Sequence, residues 1–113
     1  MSFELRDIRE WSLGTMVFPK YEVYDQKRRK DFVLTVCTFE LYDSSGAVVD
    51  SGGCVVNNGD SDAVGNSIKT VQATINLSAT WAAVGHYSLV FHVTCSSGET
   101  KDLMAPIKIR TFP

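Results

Sequence analysis

Along residues 82–95 a glycine-containing turn leads into a run in which every second position is apolar. Tyr87, Leu89, Phe91, Val93 and Cys95 alternate with His86, Ser88, Val90, His92 and Thr94. Successive side chains of a strand point to opposite faces, so this spacing predicts a half-buried antiparallel strand with the odd-numbered set in the core. A tyrosine just past Gly85 at the head of such a strand points to a tyrosine corner, in which the hydroxyl reaches back to upstream backbone. The same period recurs at Lys69–Leu77, with Val71, Ala73, Ile75 and Leu77 inward, and at Thr100–Thr111, with Leu103, Ala105, Ile107 and Ile109 inward. Phe32–Tyr42 is the longest β-prone run, rich in branched and aromatic residues. Its Cys37, Phe39 and Leu41 face in while Thr38, Glu40 and Tyr42 face out.

Weaker alternation fills the intervals. Residues 3–8 read as an edge strand touching the core through Phe3, Leu5 and Ile8, and Thr15–Tyr24 as a bent second strand interrupted by Pro19, which cannot donate to a ladder. Residues 25–31, with four successive positive charges between two aspartates, read as a solvated hairpin loop. Asp43-Ser44-Ser45-Gly46 and Ser96-Ser97-Gly98 share one turn chemistry, a glycine suited to the left-handed position that closes a hairpin. Ala47–Ser51 starts a returning strand, Gly52-Gly53 marks a bulge or bend, and Cys54-Val55-Val56 continues it. Residues 57–66 form the one long polar loop. Ser78–Ala83 is a candidate helical turn with Ser78 as its cap, crossing between sheets and placing Trp81 at the end of the core beside Tyr87. Pro106, on the outward set of the last strand, marks an edge or bulge. About seven runs of strand character with no substantial helix predict an all-β, immunoglobulin-like Greek-key β-sandwich, one domain spanning residues 1–113.

Composition leaves this picture intact and removes several function classes. The chain has 113 residues, 44% apolar and 21% charged, which is enough for a core without metals or cross-links. A net charge of −2 gives no electrostatic reason to expect a nucleic-acid or membrane-surface partner. The first residues carry charge from Glu4 on and contain no apolar h-region, so no signal peptide is expected. Three cysteines, Cys37, Cys54 and Cys95, show no CxxC spacing. They read as reduced core or near-core residues, with a Cys37–Cys95 bridge between two sheets as the alternative.

Candidate chemistry is sparse. His86 and His92 lie six residues apart on one strand, ~20 Å at about 3.3 Å per residue, and cannot share a metal. Both read as exposed strand residues. Asp60 and Asp62 form half of a calcium loop, without the bidentate glutamate that would complete it. There is no nucleophile elbow, HExxH or phosphate-binding glycine loop. No catalytic residue, cofactor or metal is therefore expected, and no enzyme activity. Trp11, Phe18, Tyr21 and Tyr24, with Met16, crowd the first quarter of the chain. The four aromatics are the candidate protein-contact surface; the alternative is that they seal the open side of the core.

Residues 32–52 and 84–91, with "Leu-Tyr-Asp", a glycine turn, "Val-Val-Asp-Ser-Gly" and then "Gly-His-Tyr-Ser-Leu-Val-Phe", resemble the small immunoglobulin-like structural proteins of bacteriophages and prophages. That resemblance covers most of residues 32–110 and supplies no catalytic residue. It implies a virion or assembly component at the head–tail connection, the tail or the baseplate. The implied partners are copies of the chain or neighbouring subunits, in the virion or the host cytoplasm, with neither nucleic acid nor membrane. A ligand-binding module is the second reading, holding carbohydrate through exposed Trp11, Tyr21 or Tyr24 and the loop at residues 57–66.

Overall fold

A computed structural model of the protein describes residues 9–23 and 33–111, and the backbone of residues 2–4. Among these the chain is all-β, with strands β1 (Ser2–Glu4), β2 (Arg9–Ser12), β3 (Met16–Val17), β4 (Lys20–Glu22), β5 (Leu34–Tyr42), β6 (Val48–Gly53), β7 (Val55–Ser61), β8 (Ser67–Gln72), β9 (Ile75–Asn76), β10 (Gly85–Cys95) and β11 (Thr100–Arg110). The larger layer runs β1-β11-β10-β5-β6, with β2 also on β11. The smaller runs β4-β8-β7, and β3-β9 extends it. Phe18 and Pro19 break the predicted second strand into β3 and β4. The break is bridged by a bond from the Ala73 amide to the Pro19 carbonyl (3.0 Å), so residues 16–22 still run along residues 70–77.

The central strand is as its period demands. Leu89 stands opposite Leu41 and Ala105, and Phe91 opposite Phe39 and Leu103, so inward residues line up in rows across three strands. Leu89, Phe91 and Val93 are at most 1% exposed. Each such side chain contributes about 1.5–3 kcal/mol by leaving water. Val71, Ala73, Ile75 and Leu77 of the smaller layer are equally buried, and Tyr21 meets Phe91 edge to face with ring centroids 5.4 Å apart. The Tyr87 hydroxyl donates to the Ala83 carbonyl at 2.9 Å, as the corner reading requires, and Trp81 packs edge-on against the Tyr87 ring at 6.0 Å. Both hairpin glycines take the left-handed conformation, Gly46 at φ 88° and Gly98 at φ 86°. The Asp43 carboxylate organises the first of these turns, accepting from the Ser45 and Ala47 amides.

Several expectations are corrected. The strand after Gly46 does not simply bend at Gly52-Gly53. It changes layer, β6 pairing with β5 and β7 with β8, and Gly52 at the crossing lies against the Phe39 ring, where an added Cβ would stand 3.2 Å away. The polar stretch at residues 57–66 is half strand: β7 continues through Ser61, and only residues 62–66 turn. Polarity there reflects an edge strand with a bulge between Asn57 and Asp60, where the Asn58 side chain pairs with the Leu34 backbone of the other layer. Ser78–Ala83 makes turns without a helix, and Asn76 rather than Ser78 supplies the capping oxygen. Pro106 is inside a strand. It lies in β11 between the stretch paired to β1 and the stretch paired to β2, opposite Ser88 of β10 on its other side. The strand count exceeds seven because Thr15–Tyr24 divides into β3 and β4, Ala47–Val56 into β6 and β7 and Lys69–Leu77 into β8 and β9, and because β2 lies outside the runs. Cys37 and Cys95 sit on adjacent strands of one layer, not across two, and no disulfide joins any of the three cysteines. Residues 5–8, Tyr24 and the basic turn at 25–31 lie outside the described residues.

Candidate functional site

The aromatic cluster of the first quarter does not form one surface. Trp11 is 9% and Tyr21 8% exposed, both within the core cluster, while Phe18 is 57% exposed and Tyr24 is outside the described residues. Trp11 is drawn in because β2 pairs with β11, setting it beside Ile109. Tyr21 is held between the Phe91 ring and the Arg9 guanidinium, 5.5 Å from its centroid. Burial pushes its phenol above the ordinary value and Arg9 opposes this. These two residues therefore seal the open side of the core, and no aromatic platform forms from them.

Chemistry gathers instead on the outward face of the larger layer. Register places His92 between Thr38 of β5 and Asp102 of β11, with Glu40 one row away. His92 Nδ1 lies 2.8 Å from Asp102 Oδ1, and Nε2 lies 2.7 Å from Glu40 Oε1. The Tyr42 hydroxyl donates to the same Glu40 oxygen at 3.1 Å. Ionised carboxylates only accept, so both ring nitrogens must carry protons and the arrangement selects the imidazolium. Partial burial pulls the His92 pKa down, but the bonds to Asp102 and Glu40 outweigh it and hold the group above its ordinary value. Neither nitrogen retains a lone pair for proton abstraction in this arrangement. The two carboxylates flank the ring on opposite sides, and among the described residues no group of three or more His, Cys, Asp or Glu is placed to hold a metal.

Beside this network the face is apolar. Val90 is cross-strand to Met104 and to Glu40; it is 8% exposed, although the alternation assigns it to the polar side, and Met104 is 41% exposed. An open depression begins there, lined by Tyr42, His86, Ser88, Val90 and Met104 and closed off by the Asp43–Gly46 turn. His86 thus stands at the rim of a concavity. Sequence reasoning missed this site because its members come from residues 40, 92 and 102, which only the strand register brings together. The available signal was Glu40, a carboxylate in mid-strand on the same outward set as Tyr42.

The two loop aspartates are fully occupied by their own surroundings. Asp60 accepts from the Thr70 hydroxyl at 2.8 Å and from Lys20 Nζ at 3.1 Å; with the Ser61 amide, these bonds lower its pKa. Asp62 accepts from the Asn66 amide at 2.8 Å and the Val64 amide at 3.0 Å, closing its own turn. No helix among the described residues is long and apolar enough to cross a membrane.

No protein-family model and no curated protein matches the chain. In backbone it is similar to a family 123 glycoside hydrolase from Clostridium perfringens, a structure described for glycolipid glycan hydrolysis, with a TM-score of 0.51 and 10% identity. The likeness covers 98% of this chain and 23% of that one. At that identity it concerns the fold alone.

Proposed function

We propose that this chain is a non-enzymatic structural or assembly domain of a phage or prophage particle, acting through protein–protein contacts on the outward face of its larger layer. The observation that carries the reading is the composition of that face. An apolar centre at Val90 and Met104 lies beside a fixed array of Tyr42, Glu40, His92 and Asp102, which is the mixture of anchors and oriented polar groups that protein interfaces use. His92, with both nitrogens committed to carboxylates, supports contact over catalysis. We further infer an immunoglobulin-like Greek-key sandwich. Support comes from the layer orders β6-β5-β10-β11 and β4-β8-β7, and from the Tyr87 corner at the start of β10. The sequence resemblance to phage proteins adds the particle context and names copies of the chain or neighbouring subunits as partners.

A carbohydrate-binding module is the second reading, favoured by the backbone likeness to a quarter of a glycoside hydrolase. Against it, Trp11 and Tyr21 are buried and cannot stack on a sugar. Size-exclusion chromatography with light scattering, run beside a glycan array, tests the choice. A discrete oligomer that retains no glycan is the expected result; a strict monomer that retains one overturns the proposal.

A further inference from the structure

We propose that Cys37 and Cys54 are a reactive thiol pair: Cys54 takes up a low-molecular-weight disulfide, and Cys37 resolves the adduct into an intramolecular bond tying β5 to the crossing between β6 and β7. The register that sets Thr38 opposite Gly53 continues one residue further, bringing Cys37 opposite Cys54, and the Cys54 amide donates to the Cys37 carbonyl at 2.9 Å. Residues directly opposed in an antiparallel pair have Cα atoms about 4.5–5.5 Å apart. A disulfide spans about 4.4–6.8 Å between Cα atoms, so the backbone spacing of such an opposed pair admits the bond. Cys95 stands opposite Leu34, off the row of Cys37.

The environments of the two thiols divide the work. Cys37 is 3% exposed within the core, whereas Cys54 packs against the core from the crossing and remains partly open to solvent. The Cys37 thiol donates to the Thr38 carbonyl at 3.7 Å. The neighbouring Cys54 thiol and burial push Cys37 up, while the Cys37 thiol beside it pulls Cys54 down. Cys54 is therefore the thiolate that attacks and Cys37 the protonated neighbour that follows.

In the first step the Cys54 thiolate attacks one sulfur of an added disulfide R–S–S–R, forming Cys54–S–S–R and expelling one thiolate. Cys37 then loses its proton to solvent and attacks Cys54 Sγ, expelling the second thiolate. The two protein thiols give up two electrons, and the two expelled thiolates take up the two protons, so R–S–S–R leaves as two thiols. The product pins the point at which the chain passes from one layer to the other.

The test treats the folded protein with oxidised glutathione at neutral pH, quenches with an alkylating agent, and locates cross-links by peptide mass spectrometry. The expected product is a Cys37–Cys54 link. Cys37→Ser should stop at a glutathione adduct on Cys54, and Cys54→Ser should give neither adduct nor link. A Cys95→Ala variant must still cross-link, which keeps the test decisive if Cys37→Ser does not fold. In the folded wild type Cys54 should react with an aromatic disulfide reagent at least about tenfold faster than Cys95. Modification starting at Cys95, an adduct on Cys54 that never resolves in the wild type, or a link formed only in denaturant overturns the proposal.

Discussion

Replacing Tyr87 by Phe removes one oxygen and leaves the rest of the corner in place. The ring is 8% exposed and its edge-to-face contact with Trp81 at 6.0 Å does not involve the hydroxyl. What disappears is the 2.9 Å bond to the Ala83 carbonyl, which ties the turn before β10 to the strand itself. Such a bond is worth about 0.5–1.5 kcal/mol net, against about 1–3 kcal/mol when its loss orphans a buried acceptor. Ala83 is an exposed residue of a surface turn, so water can replace the donor and the loss should be about 1 kcal/mol. In a domain of this size that corresponds to a fall in Tm of roughly 4 °C. Tyr87→Ala also empties the ring's place in the core and should cost about 3–5 kcal/mol. Urea unfolding followed by tryptophan fluorescence reads both, with the slope m unchanged for Tyr87→Phe. A midpoint for Tyr87→Phe equal to that of the wild type would refute the corner as a stabilising tie. A loss as large as that of Tyr87→Ala would show that the carbonyl is orphaned rather than rehydrated.

Other perturbations follow from the same geometry. His92, raised in the folded state, adds stability that is fully present below its unfolded pKa of about 6.5 and is lost as pH rises through the folded value. Urea midpoints across that window should fall for the wild type and stay flat for His92→Gln; equal slopes would contradict the paired imidazolium. Gly46→Ala should cost about 1–2 kcal/mol by urea unfolding, because φ is 88° there. Gly53→Ala, with open space and no left-handed backbone, should be near neutral by the same measurement. Calcium chloride should leave the Tm unchanged, since Asp60 and Asp62 already bind their own hairpin, and a rise would restore the metal reading. Asp62, lowered by the Asn66 amide, adds stability above its unfolded pKa that is lost as pH falls through the folded one, so Asp62→Asn should flatten the acid limb of the same urea series.

The core was legible because burial writes itself into a strand as a period of two. All five odd-numbered residues from Tyr87 to Cys95, and Val71, Ala73, Ile75 and Leu77, fell where alternation put them. Turn chemistry at Asp43–Gly46 and Ser96–Gly98 was equally local. Pairing partners were not local. Nothing in the spacing of Trp11 or Tyr21 states that β2 joins β11, or that Tyr21 meets Phe91 across the core, so these two of the four aromatics read as candidate surface proved to be sealing residues. Asn57–Ser61 was misread because an edge strand with a bulge satisfies its polar residues with few inward side chains. The Glu40–His92–Asp102 network needed two registers at once, and the Cys37–Cys54 pair needed the change of layer at Gly53.

The most direct test of contact through the outward face is light scattering over a range of concentrations for the wild type, Met104→Arg and a control, Val64→Arg. Met104 is 41% exposed at the centre of that face, and Val64 is 82% exposed at the tip of a distant hairpin. The account predicts a discrete oligomer for the wild type and for Val64→Arg, and a folded monomer for Met104→Arg. An oligomer that survives Met104→Arg, or a wild type that stays monomeric at every concentration, would contradict it.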